Sequence, residues 1–230
     1  MSIETRLNPL RKDVFMDFHL IRNKLNYKIF ILCCFTLLTM NAHSTPNPIT
    51  IDNISANGSG CPDGTYTITI APDQQTFSVL FDRATVFSNN SDKLDSKVCE
   101  LTITANVPAG WGINKHTLDY RGFSQVDPGS KAFHRNIYYL LNSRKKWVHY
   151  GSKLKKFDSD FNDNYIFTNI FNIHQPLEHL CKARKEIIKI QMQITARSNS
   201  KSISSAQLAV DSIDGIIEGT RVRSSCNKKI

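Results

Sequence analysis

Ile188-Lys-Ile-Gln-Met-Gln-Ile-Thr-Ala196 alternates without a break. Ile188, Ile190, Met192, Ile194 and Ala196 are apolar or small; Lys189, Gln191, Gln193 and Thr195 between them are polar. Successive side chains of an extended strand point to opposite faces, so a period of two gathers the apolar set on one face. That face meets a core and the other meets water, the pattern of a half-buried antiparallel sheet. Thr65–Ile70 and Leu101–Val107 alternate in the same way. Thr76–Phe81, Asn114–Tyr120, Asn136–Leu141, Lys146–Tyr150, Tyr165–Ile173 and Gln207–Val210 with Ile216–Glu218 are further strand candidates.

Turn chemistry separates these runs at Pro62-Asp63-Gly64, Pro108-Ala109-Gly110, Asp127-Pro128-Gly129 and Asp214-Gly215. Asp214-Gly215, between Ile213 and Ile216, predicts a tight hairpin. Leu177–Lys185, entered through Pro176, predicts one short helix. Roughly nine short strands with such turns predict a single all-β domain, an antiparallel β-sandwich.

The N-terminus decides the compartment. A basic stretch, Met1–Lys28, precedes the apolar run Ile29–Met40, and Ala42-His43-Ser44 gives a small-x-small cleavage site. This order reads as a secretory signal peptide over residues 1–44, with Met16 as an alternative start of better proportions. The apolar run is shorter than the roughly 20 residues a membrane-spanning helix needs, so the mature form is expected to have no transmembrane span. The reading then gives an entry segment at 45–56, a secreted domain at 57–226 and a tail at 227–230. Secretion, a periplasm or the cell surface is the expected location.

Cys61, Cys99, Cys181 and Cys226 remain after cleavage. An even number in an exported chain predicts two disulfides. Three connectivities are open; Cys61–Cys226 with Cys99–Cys181 is favoured because it ties the domain ends together. No pair has CxxC spacing, which argues against a redox dithiol or a zinc knuckle. Lys and Arg outnumber Asp and Glu by 29 to 20. Short basic clusters at Arg144-Lys145-Lys146, Lys153 with Lys155-Lys156, and Lys182 with Arg184-Lys185 suit a solvated face or an anionic envelope polymer. Nucleic acid is not an expected partner of an exported chain.

Five segments carry a family resemblance: Asn57-Gly-Ser-Gly-Cys-Pro62, Val107-Pro-Ala-Gly110, Asp119-Tyr-Arg-Gly-Phe123, Phe161-Asn-Asp-Asn-Tyr165 and Asp211-Ser-Ile-Asp-Gly215. In order and spacing the chain resembles secreted bacterial and fungal proteins of the domain-of-unknown-function family 4360, over about Ile54–Cys226. The resemblance implies secretion and a β-rich fold, and it brings no catalytic residue with it.

Four groups of residues are candidates for chemistry. Asp158, Asp160, Asn162 and Asp163 offer hard oxygen ligands, which makes calcium the candidate cofactor. The EF-hand pattern fails, because Asp163 stands at the glycine position and Asn169 at the glutamate position. Asp119, Arg121, Asp211 and Asp214 are expected to form a structural polar network, with a glycoside-hydrolase carboxylate pair as the alternative. Trp111 between Gly110 and Gly112, and Lys145, Lys146 and Trp147, are candidate ligand contacts; Tyr138 and Tyr139 are further candidates for an aromatic platform. HExxH, GxSxG and phosphate-loop motifs are absent. The resulting reading is a non-catalytic binding module for polysaccharide or an anionic envelope polymer. The alternatives are a hydrolase whose carboxylates converge in the fold and a structural envelope or matrix protein.

Overall fold

The computed structural model describes residues 48–173, 181–199 and 203–221. The predicted signal peptide, Cys226 and the 227–230 tail lie outside that range. Eleven strands are described: β1 (Thr50–Asn57), β2 (Tyr66–Ile70), β3 (Thr76–Phe81), β4 (Thr85–Ser88), β5 (Leu94–Val107), β6 (Trp111–Val126), β7 (Lys131–Leu141), β8 (Trp147–Phe157), β9 (Asn162–Asn172), β10 (Arg184–Arg197) and β11 (Ala206–Arg221). They form two sheets with antiparallel ladders throughout. One has the order β1-β5-β10-β7-β8; the other runs β2-β3-β11-β6-β9, with β4 beside β11.

The two sheets form a sandwich, as the alternation predicts. The apolar positions of β10 (Ile188, Ile190, Met192, Ile194) and β5 (Leu101, Ile103) are fully buried. They are joined in one core by Val79 of β3, Leu118 and Tyr120 of β6, and Ile213 and Ile217 of β11. Each such aliphatic side chain contributes about 1.5–3 kcal/mol by leaving water. The intervening residues of these strands face solvent and make the two outer faces of the protein.

The local expectations differ from the structure at several points. Asp214-Gly215 is no hairpin: β11 runs straight through it. Gly215 is there because a Cβ at that position would sit 2.3 Å from the Phe77 ring and 2.9 Å from Leu118, so the glycine admits the ring rather than a turn. The disulfide pairing also differs. Cys61 bonds Cys99, 38 residues away, because β1 pairs with β5 and brings the Gly58–Cys61 turn against Val98 and Cys99. Cys181 is disulfide-bonded as well. The predicted entry segment contributes β1, whose bulge between Ile51 and Asn53 interrupts the alternation that would have revealed it. Of the predicted helix, residues 177–180 lie outside the described range; its last two residues, Arg184 and Lys185, begin β10.

Candidate functional site

Register, rather than sequence proximity, builds the site. On the outer face of the six-stranded sheet, Thr69 of β2 pairs with Ser78 of β3, Ser78 with Asp214 of β11, Asp214 with Asp119 of β6, and Asp119 with Thr168 of β9. This is a continuous polar row perpendicular to five strands. On one side it is flanked by Thr76, Ile216, Thr117 and Ile170, and on the other by Leu80, Ser212, Arg121 and Ile166. The middle of the face is an open groove of about 340 Å³, lined by Thr69, Ser78, Thr117, Asp119, Asp214 and Ile216 among others.

Each carboxylate is held by a neighbouring hydroxyl. Thr168 Oγ1 donates to Asp119 Oδ1 at 2.5 Å, and Ser78 Oγ donates to Asp214 Oδ1 at 2.5 Å. Arg121 Nη1 lies 3.8 Å from Asp214 Oδ2. Ser212 Oγ also lies 3.5 Å from Asp214 Oδ2, so each carboxylate is positioned by its neighbours on the sheet. Asp119, Arg121 and Asp214 lie side by side on this face. Asp211 does not join them; it is the exposed extra residue of the β11 bulge between Val210 and Ser212. Ser78 and Thr168 are the partners sequence reasoning missed. Each lies at an outward position of an expected strand, but which strands adjoin cannot be read from periodicity.

An aromatic and polar cluster fills the interior between β6 and β9 of one sheet and β7 and β8 of the other. Tyr120 and Tyr138 hydroxyls are 2.8 Å apart, and Asn169 Nδ2 donates to the Tyr138 hydroxyl at 2.9 Å. Tyr150 Oη lies 3.1 Å from His116 Nδ1, and His134 Nε2 lies 3.2 Å from Asn136 Oδ1. Burial holds both imidazoles neutral, with their pKa values pushed down to about 3, and raises those of Tyr120, Tyr138, Tyr150 and Tyr165. His116 Nε2, His134 Nδ1 and Asn136 Nδ2 are buried without a hydrogen-bond partner among the described residues. Tyr138 is thus a core residue, not part of a surface platform.

The other predicted residues fall elsewhere. Trp111 is half-buried against the core, and its carbonyl accepts from Arg184 Nη1 at 3.2 Å. Lys145 and Lys146 are exposed in the β7–β8 turn, which Asn142 Oδ1 organises by accepting from the Arg144 and Lys146 amides. Trp147 follows, 41% exposed, with Lys189 Nζ 4.9 Å above its ring and 5.1 Å above that of Tyr139. Asp158, Asp160, Asn162 and Asp163 are exposed in the β8–β9 turn and the start of β9. Phe161 N donates to Asp158 O, and Asp160 takes a positive φ of 68°. Among the described residues no three acidic, histidine or cysteine side chains are grouped to hold a metal ion.

The sequence profile of the family described as a domain of unknown function, DUF4360, matches residues 47–223, from just before β1 to just past β11. The chain belongs to the DUF4360 family. This DUF4360 protein is 26% identical over 173 residues to an "Uncharacterized secreted protein" of Arthroderma benhamiae, covering 74% of this chain and 67% of that one. Among solved structures it is similar to CBM28, a carbohydrate-binding module specific for non-crystalline cellulose, with 13% identity, 66% and 79% of the two chains covered and a TM-score of 0.35. It is also similar to the Caldicellulosiruptor saccharolyticus module CBM27-1 in complex with mannohexaose, with 13% identity, 76% and 85% covered and a TM-score of 0.28. Among the described residues no helix is long and apolar enough to cross a membrane.

Proposed function

We propose that this DUF4360 protein is an exported, non-catalytic module that binds a neutral polysaccharide across the outer face of its six-stranded sheet. One observation carries the reading. Asp119 and Asp214 stand directly opposite each other among the residues that line an open groove. Like charges at opposed positions of a ladder cost stability, and the Arg121 cation offsets this beside Asp214 alone. Two fixed carboxylates are strong acceptors for pairs of sugar hydroxyls, which are donors. The flanking Thr76 and Thr117 add hydroxyls, and Ile216 and Ile170 offer apolar surface to the CH faces of sugar rings. The row crosses five strands, a length suited to several units of a linear chain. Export rests on the signal-peptide pattern of residues 1–44 and on the secreted relative.

The same opposition favours a second reading. Opposed side chains have Cβ atoms about 4.5–5.5 Å apart, and a retaining glycosidase places its carboxyl groups about 5–5.5 Å apart. Binding is the better account, because the groove is open to solvent and Arg121 sits beside one of the two acids. Incubating the protein with soluble glucans, mannans and galactans and measuring reducing ends separates the two. Binding without turnover supports the module; turnover abolished by Asp119→Asn in a folded protein supports the hydrolase.

A further inference from the structure

The outer face of the five-stranded sheet carries the opposite charge. Arg197 of β10 pairs with Lys131 of β7. In the next outward row Thr195 pairs with Phe133, and Phe133 pairs with Lys156 of β8. In the row after that, Gln193 pairs with Arg135, which pairs with Leu154. Lys131, Arg135, Lys156 and Arg197 are exposed, and among the described residues none of them forms an ion pair. Lys131 and Arg135 lie four residues apart on one strand, about 13 Å along the sheet. The four cations thus surround Phe133 in the ladder of three adjacent strands, β10, β7 and β8. Placing Arg197 opposite Lys131 raises the energy of the free protein, and an anion laid across them lowers it.

We propose that this face is a second binding surface, for a linear acidic polysaccharide whose sugar-acid carboxylates pair with Arg135, Lys131, Lys156 and Arg197. Phe133 is half-buried at the centre of these cations and adds aromatic surface for a sugar ring to pack on. Guanidinium groups add bidentate pairing with carboxylates. The site lies on the other sheet from the Asp119–Asp214 groove, and neither needs the other.

The test is binding of the purified full chain to polygalacturonate, with the fully methyl-esterified polymer as the uncharged control and phosphatidylglycerol vesicles as the lipid arm. The expected result is binding to the acid form only. It weakens about tenfold or more in the double variant Arg135→Gln/Lys156→Gln. It is also lost as salt rises from about 0.1 M to about 1 M and the screening length falls from about 10 Å to about 3 Å. A thermal melt confirms that the exposed substitutions leave the fold intact. Undiminished binding by the variant, equal binding of the esterified polymer, no binding of the acid form, or binding to the vesicles alone would each overturn the proposal.

Discussion

Asp119 of β6 and Asp214 of β11 face each other across one ladder position on the outer surface of the sandwich, each tied to a hydroxyl of the next strand outward. Their repulsion is a cost of roughly 0.2–1 kcal/mol. Asp119→Asn removes a charge and keeps an acceptor for Thr168. We expect its melting temperature to equal or exceed that of the parent, while affinity for a neutral polysaccharide falls. A variant that is both destabilised and fully able to bind would show the pair to be structural.

Buried histidines make the fold acid-sensitive. His116 and His134 have pKa values of about 3 in the folded state, against an ordinary 6.5. Between those values the unfolded chain binds more protons, so stability rises with pH. Their contribution is fully present above about pH 6.5 and is lost as pH falls toward about 3, at up to about 1.4 kcal/mol per pH unit for each histidine. Urea midpoints measured from pH 7.5 down to pH 4.5 are expected to fall steadily. A flat profile would mean that the imidazoles protonate inside the fold.

The strand reading was most legible where local pattern and burial agree. Thr76–Phe81 coincides with β3, and the alternation at Ile188–Ala196 lies wholly within β10. It failed where a residue answers to a distant partner. Asp214-Gly215 has the local chemistry of a turn, but Gly215 yields its Cβ space to Phe77. The order of strands, and hence the Cys61–Cys99 bond and the Asp119–Asp214 pair, depends on which strands lie side by side, which no local period encodes. Asp119, Arg121 and Asp214 are recognisable as a polar set; the place of Asp119 and Asp214 in a groove with Ser78, and the hydrogen bond from Thr168, are not.

Gly215→Ala tests that account of β11. The added methyl meets the Phe77 ring in a packed core, and overpacking of this kind costs about 1–3 kcal/mol. For a chain of this size the melting temperature should drop by about 2–4 °C per kcal/mol. An unchanged melt would show that the ring moves aside freely.

The Cys61–Cys99 bond closes the loop from β1 to β5, and both cysteines are fully buried. The double variant Cys61→Ala/Cys99→Ala is expected to lose about 2–4 kcal/mol. Equilibrium unfolding in denaturant measures this directly; equal stability would assign the bond no role in holding β1 to the sheet.

The most direct test of the polysaccharide reading is affinity electrophoresis of the protein through native gels containing neutral glucans, mannans or galactans. The account predicts retardation by at least one of these polymers, and its loss in an Asp119→Ala/Asp214→Ala variant that still melts cooperatively. Free migration through every polymer, or equal retardation of the variant, would contradict it.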